Sequence, residues 1–191
     1  MKGLFKYFSN EYTKFKQPVV LAIMGLFIAL GIVLTRVVKP IDLPYLRVSF
    51  GFIATAVCSM LLGPFLGGLN AALTDIAGFF LFPSAGGPFF PGLTLSALIT
   101  GIIYGIFLHR KKFTLLNVVI SVLLVTVFIE MLLNTYWLSI LLDKGWLVLF
   151  PLRALKSAIF YPIQVFIIYY LGRLRRVMPS HLQADVAKNQ E

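Results

Sequence analysis

The sequence contains long, nearly uninterrupted apolar runs, and this property most restricts how the chain can fold. The longest run extends from Thr114 to Leu142 and contains a single charged residue, Glu130. Of the 191 residues, 59% are hydrophobic and 13% are charged, whereas soluble domains are about 45–50% apolar and about 25% charged. Because a bilayer offers no water to backbone polar groups, spanning structures are helices or closed barrels. The runs are too long and too uniform for alternating barrel strands, so the sequence predicts an all-α integral membrane protein.

Six apolar runs are candidates for transmembrane helices, because a bilayer core about 30 Å thick needs about 20 helical residues. The predicted spans cover residues 18–36, 48–62, 65–81, 93–109, 114–142 and 151–173. The second and third spans are short and are separated only by Gly63 and Pro64, so a re-entrant hairpin is an alternative for that pair. The chain then divides into three parts. These are a basic N-terminal segment at 1–17, a six-helix membrane domain at 18–175 and a polar tail at 176–191.

The distribution of basic residues predicts the orientation of the chain in the membrane. A net charge of +10 could indicate nucleic-acid binding, but the basic residues flank the predicted spans. Eleven of them lie at the chain ends and between the fourth and fifth spans, and four lie in the loops on the other side. The positive-inside rule therefore places both termini in the cytoplasm. We expect a lipid-embedded protein that does not bind nucleic acid.

The sequence lacks the motifs of the common catalytic and metal sites. It contains neither the phosphate-binding G-x-x-x-x-G-K-[ST] loop nor an H-E-x-x-H helix. Its single cysteine, Cys58, lies in an apolar run, and its histidines are at 109 and 181, so neither a metal site nor a triad is expected. We predict that the protein is not an enzyme and that it uses no metal or cofactor.

Two groups of polar residues lie inside the apolar runs and are the main candidates for a functional site. Glu130, Asn134 and Trp137 are spaced i, i+4 and i+7, so they share one face of the fifth predicted helix. Arg153 and Lys156 lie at i and i+3 near the start of the sixth. Charges that face lipid are unfavourable, so such groups are expected to face a cavity or the bundle interior. A carboxylate or amide suits the N–H groups of a heterocycle, an indole can stack, and the cations suit carboxylates.

Four further residues are candidate ligand contacts because of their positions. Phe89 and Phe90 belong to the segment 82–92, which is rich in proline and glycine and is a candidate gate. Arg47 ends the first predicted outer loop and could add positive charge at the entrance. Tyr136 is a candidate for stacking, although an ideal helix directs it away from the stripe of polar residues. The expected ligand is a planar heterocycle with an acidic tail.

Most of these polar residues also have a structural interpretation. Glu130 could form an internal ion pair, and Trp137 could be an aromatic anchor at the membrane interface. Arg153 and Lys156 could extend along the helix to reach the interface. For Asp75, in the third span, we favour a structural role: a hydrogen bond to a neighbouring helix or an ion pair with Arg153 or Lys156. These alternatives stay open at the level of the sequence.

The first predicted span carries a pair of small residues on one face. Gly25 and Ala29 are four residues apart, which is the spacing that lets helix backbones approach closely in lipid. The pair could pack inside the bundle or could contact a different protein.

Beyond these patterns, the chain resembles a known family of transport proteins. It resembles the folate family of membrane-embedded substrate-binding subunits, or S components, of energy-coupling factor (ECF) transporters, a class of ABC transporter. The resemblance covers the membrane region from Leu46 and is most specific between Asp75 and Gly105. It continues in the segments NTYWLSIL, at Asn134–Leu141, and PLRALK, at Pro151–Lys156.

The resemblance implies a six-helix protein of the bacterial cell membrane whose external loops cover a vitamin pocket. It implies that Gly25 and Ala29 contact a transmembrane coupling subunit, with glycine here where alanine is usual. ATP hydrolysis would belong to two separate cytoplasmic subunits, which agrees with the missing phosphate loop.

These implications combine into one hypothesis, capture of folate from outside the cell. Asn134 and Glu130 would hold the pterin edge, and aromatic residues would stack on its face. The stacking candidates are Phe89, Phe90, Tyr136 and Trp137. The cations Arg47, Arg153 and Lys156 would meet the glutamate carboxylates. The alternatives are an S component for another vitamin, such as riboflavin or pantothenate, and a structural membrane subunit that does not transport.

Overall fold

The computed structural model describes residues 18–38, 41–43, 46–82, 89–109, 114–142 and 146–174. Within these ranges, the side chains of 41–48, 142, 146–149, 152 and 174 are not described. The predicted basic segment at 1–17, the tail at 176–191 and most of the candidate gate lie outside the described residues. The side chain of Arg47 also lies outside them.

The described chain forms a helical bundle with one short β-hairpin. In chain order the elements are α1 (Pro18–Ile32), β1 (Ile41–Leu43), β2 (Leu46–Val48), α2 (Gly51–Leu62), α3 (Pro64–Leu81), α4 (Pro91–Leu108), α5 (Leu115–Leu124), α6 (Asn134–Leu142) and α7 (Trp146–Leu174). A π-helical segment, Val33–Val37, continues α1, and a second, Val125–Leu133, joins α5 to α6 in one long rod. The strands are antiparallel, with Asp42 opposite Arg47.

Each of the six predicted spans coincides with one helical rod. Five rods are long and apolar enough to cross a membrane, and α2, with 12 residues, is shorter. A helical membrane bundle is therefore confirmed, whereas the count of six spans stays a prediction. The all-α description needs one change, because β1 and β2 form a small antiparallel sheet between α1 and α2.

The break between α2 and α3 follows from two adjacent residues. Gly63 has a φ of 100°, a conformation that is easy only for glycine. Pro64 follows as the first residue of α3, where its fixed φ suits a helix start and its missing N–H has no cost. This turn reverses the chain, so α3 runs back along α2.

Helices α3 and α4 pack closely because glycine lies at their contacts. A Cβ atom built at Gly101 would be 2.5 Å from the carbonyl oxygen of Gly67, and one at Gly105 would overlap Pro64. The absence of side chains at these positions lets the two backbones touch, which is the usual way in which helices pack in lipid.

Buried apolar residues connect the helices into one body. A cluster around Tyr104 joins α2, α4, α5 and α7, and a second cluster around Met24 and Cys58 joins α1, α2 and α3. Cys58 is buried and free. The described residues contain no group of three or more His, Cys, Asp or Glu side chains that could hold a metal ion.

The β-hairpin marks one end of the bundle, which we call the hairpin end. The Val33–Val37 segment, α3 and α6 finish at this end, and α2, α4 and α7 start there. Two contacts support this arrangement: Thr35 lies against Gly51, and Trp137 lies against Gly92. Functional side chains can therefore be placed by their distance from the hairpin end.

Candidate functional site

A cavity of about 240 Å³ lies inside the bundle. It is bordered by the π-helical extension of α1, by α2, α4 and α7, and by the rod that contains α6. Its polar lining residues are Thr35, Ser49, Thr55, Thr100, Tyr104, Glu130, Asn134, Lys156 and Gln164. Three of the residues singled out from the sequence, Glu130, Asn134 and Lys156, are thus brought together around one space.

Glu130 and Lys156 form a loose ion pair at the cavity wall. The Lys156 Nζ atom is 3.9 Å from the Glu130 carboxylate, and the two side chains are 18% and 25% exposed. A separation near 4 Å is at the limit for an ion pair and is too long for a hydrogen bond. The ion-pair and ligand-contact interpretations of Glu130 are therefore compatible, because both groups still line the cavity.

Asn134 and Trp137 carry buried polar atoms that lack partners. Among the described residues, no hydrogen-bond partner is found for the Asn134 Oδ1 atom or for the Trp137 Nε1 atom. Buried polar groups are nearly always paired, and Asn134 lines the cavity, so its Oδ1 atom is available to a ligand there, whereas Trp137 does not line the cavity. The Trp137 ring packs against the Phe90 ring, with centroids 5.5 Å apart. Trp137 lies one helical turn closer to the hairpin end than Asn134.

Arg153 contacts the backbone that carries the site. Its Nη1 atom donates a hydrogen bond to the Glu130 carbonyl oxygen at 3.2 Å and approaches the Thr135 hydroxyl oxygen at 3.5 Å. The Thr135 hydroxyl donates to the same Glu130 carbonyl at 3.2 Å. This carbonyl belongs to the π-helical segment. Arg153 is not among the residues that line the cavity, so its side chain supports the wall rather than forming it.

Two of the aromatic candidates are exposed on the surface of the bundle. Tyr136 is 53% exposed on the outside of the bundle, and Phe89 is 41% exposed. Phe89 packs against Phe79 with ring centroids 5.1 Å apart. None of the four stacking candidates, Phe89, Phe90, Tyr136 and Trp137, belongs to the cavity lining, and their stacking roles rest on the sequence alone.

Asp75 joins three helices near the hairpin end. Its Oδ2 atom accepts a hydrogen bond from the Thr94 hydroxyl at 2.7 Å, and its Oδ1 atom lies 3.8 Å from Arg36 Nη2. Its ionic partner is therefore Arg36, on the extension of α1, and not Arg153 or Lys156. The contacts are those of a cross-link between the extension of α1, α3 and α4.

Sequence reasoning missed two deep lining residues, Tyr104 and Gln164. Gln164 lies eight residues after Lys156, so it continues the same face of α7. Extending the polar stripe by two helical turns would have found it. Tyr104 offered no such signal, because a tyrosine in an apolar run looks like an ordinary membrane aromatic residue.

The small-residue pair on α1 is open on the surface of the bundle. Gly25 and Ala29 are both exposed, and a Cβ atom built at Gly25 would meet nothing within 4 Å. In the part of the chain that the structure describes, no helix packs on this position. The face is available to lipid or to another protein.

Comparisons with known proteins agree with this architecture. Residues 19–172 match the family described as "ECF transporter, substrate-specific component". The protein "Folate transporter FolT" of Clostridium novyi (strain NT) is 41% identical over 173 residues, which cover 91% of this chain and 98% of that protein. A solved structure, "Crystal structure of FolT bound with folic acid", has a TM-score of 0.77 and 38% identity, and covers 82% of this chain and 94% of that one.

The comparisons confirm the family resemblance inferred from the sequence. The chain is a multi-pass protein of the bacterial membrane. Its family consists of substrate-binding components of transporters rather than enzymes.

Proposed function

The chain belongs to the family of ECF transporter substrate-specific components, and we propose that its ligand is folate, captured for import into the cell. The observation that carries the proposal is the unpartnered Asn134 Oδ1 atom in a cavity that Glu130 and Lys156 also line. An amide beside a carboxylate can pair with the adjacent N–H groups of a pterin. The folate transporter and the folic acid complex among the similar proteins support the same ligand.

In the proposed complex the pterin lies in the cavity and the glutamate tail points to the hairpin end. Glu130 and Asn134 hold the edge of the pterin, and Phe90 and Trp137 stack on its face or close over it. Arg47 attracts the carboxylates of the tail, whereas Lys156, 3.9 Å from Glu130, lies at the level of the ring and balances the charge of that carboxylate. This order follows from chemistry, because the enclosed part of a pocket suits a planar ring with a hydrogen-bonding edge and its opening suits charged groups that stay hydrated.

We further propose six spans with both termini in the cytoplasm, so that the hairpin end faces outward. A transmembrane coupling subunit and two cytoplasmic ATPase subunits would complete the importer. The basic segment at 1–17 and the tail at 176–191 would then lie on the cytoplasmic side, as the positive-inside rule requires.

We expect the purified protein to bind folic acid with a Kd below about 1 μM, because binding forms several buried hydrogen bonds and encloses the pterin ring. Isothermal titration calorimetry in detergent or nanodiscs measures this. Riboflavin and pantothenate, titrated in the same way, should give no heat at the same concentrations. Absence of folate binding at micromolar concentration contradicts the proposal, and binding of another vitamin instead would reassign the ligand.

We expect Gly25→Leu to reduce folate uptake by about fivefold or more in cells that also contain the partner subunits, because a bulky side chain prevents close helix contact. Folate binding by the isolated protein should not change, because the added side chain meets open space. Val19→Leu is the matched control, since Val19 is also exposed on α1. Normal uptake by Gly25→Leu would show that this face does not contact the coupling subunit.

A further inference from the structure

Two buried polar side chains at the inner part of the cavity are not used by the proposed ligand contacts. Tyr104 is 0% exposed and Gln164 is 6% exposed. Both line the cavity that contains Glu130 and Asn134. The Tyr104 hydroxyl and the Gln164 Oε1 atom have no hydrogen-bond partner within the described ranges of the chain.

These two residues lie farther from the hairpin end than Asn134. Asn134 is eight residues before the end of α6, which is about 12 Å along the helix. Tyr104 is thirteen residues after the start of α4, about 20 Å, and Gln164 is eighteen residues after the start of α7, about 27 Å. The polar pair therefore lies at the inner end of the cavity, and the ligand enters from the other end.

The chemistry of the pair restricts what can fill this end. An amide oxygen accepts hydrogen bonds, and a phenol hydroxyl can both donate and accept. Because the atoms are buried, leaving them unpaired in the complex would be unfavourable. A ligand group that matches them must present N–H donors next to an acceptor.

The orientation of the ligand identifies which group this is. If folate binds with its tail toward the hairpin end, the part of the bicyclic ring farthest from the tail enters first. That part is the pyrimidine edge, which carries an exocyclic amino group, a ring N–H and acceptors beside them. It is the edge whose hydrogen-bonding groups complement an amide oxygen and a hydroxyl.

We propose that Tyr104 and Gln164 form a subsite that recognises the 2-amino-pyrimidine edge of the ligand. The inference rests on the proposed function and extends it to ligand selection. Glu130 and Asn134 take the ring N–H and one hydrogen of the exocyclic amino group. The Gln164 Oε1 atom accepts the second amino hydrogen, and the Tyr104 hydroxyl donates to the ring nitrogen beside that group. The two residues are specificity determinants, because an analogue without the amino group leaves the amide oxygen unpaired.

The test uses Gln164→Met and Tyr104→Phe in the full chain, with folic acid and its 2-desamino analogue as ligands. Methionine keeps the length of glutamine without its polar atoms, and phenylalanine removes only the hydroxyl. We expect Gln164→Met to weaken folic acid binding about tenfold and to leave the affinity for the analogue unchanged. Tyr104→Phe should weaken folic acid binding by a few-fold. The matched control is Phe166→Met on the exposed face of α7, which should change neither affinity.

The outcomes separate the subsite from the proposed function. If the unsubstituted protein binds folic acid and Gln164→Met weakens both ligands equally or neither, the subsite is overturned and the function stands. Weakening of neither ligand would indicate that a buried water satisfies the pair, and equal weakening of both would indicate an effect that does not involve the amino group. If the unsubstituted protein binds no folic acid, the proposed function fails, and the subsite fails with it. Should Gln164→Met not fold, as judged by thermal unfolding, Gln164→Leu decides by the same comparison of the two ligands.

Discussion

Replacing Asn134 with leucine is expected to weaken folate binding about 100-fold, since the ligand loses buried hydrogen bonds and keeps unpaired donors, a cost of about 2–3 kcal/mol. Leucine has the same branched skeleton of four side-chain heavy atoms as asparagine, although its methyl groups are larger than the amide oxygen and nitrogen. Isothermal titration of the purified variant with folic acid measures the change in Kd.

Ile140→Leu is the matched control, because it introduces leucine six residues away on the same helix. Ile140 is exposed and does not line the cavity, so the affinity should change less than about twofold. A large loss in this control would show that the effect of Asn134→Leu is not specific to the cavity.

The thermal stability of the ligand-free Asn134→Leu variant separates a binding role from a structural role. The Oδ1 atom has no partner among the described residues, so its removal breaks no hydrogen bond of that atom within them, and stability should be unchanged or higher. Lost stability together with unchanged folate affinity would contradict the binding role. It would support a structural membrane subunit instead.

The helices and part of the site were predictable because their signals are local. A bilayer requires long apolar runs, so each rod is visible in a window of about 20 residues. The stripe of Glu130 and Asn134 follows from a spacing of four residues on one helix. Lys156 was predicted to lie in the same site because a charged side chain in an apolar run is expected to face a cavity or the bundle interior and not lipid.

The remaining features depend on the pairing of distant segments. The partner of Asp75 is Arg36, and no pattern within either helix specifies that contact. The π-helical segment at Val125–Leu133 was also not visible, since its residues look like those of any apolar helix. This segment changes which backbone carbonyl groups are accessible to neighbouring side chains. One of them, the Glu130 carbonyl, accepts the hydrogen bond from Arg153.

Arg153 illustrates the consequence. The sequence suggested a cation that meets the carboxylates of the ligand, because an arginine near a helix start can reach a pocket entrance. In the folded chain its Nη1 atom donates to the Glu130 carbonyl, where the Thr135 hydroxyl also donates. The guanidinium thus holds the backbone of a residue whose side chain lines the cavity. We therefore expect Arg153 to act as a positioning residue, with its effect transmitted through Glu130.

We expect Arg153→Met to weaken folic acid binding by about 30- to 100-fold, since removing a charged donor from a partly buried carbonyl costs about 2–3 kcal/mol. Because the effect passes through Glu130, a pterin without the glutamate tail should lose affinity by the same factor. Isothermal titration of both ligands gives the two ratios. Arg173→Met is the matched control, since Arg173 is an exposed cation in the last turn of α7, and it should change neither ratio.

The comparison of the two ligands decides between the roles. A contact with the tail carboxylates would make Arg153→Met weaken folic acid alone, because the tail-free pterin has nothing to lose. An equal loss for both ligands requires the substitution to act where they are identical, at the ring. Equal losses would therefore place the effect of Arg153 at the ring-binding wall, whereas a loss confined to folic acid would overturn the positioning role.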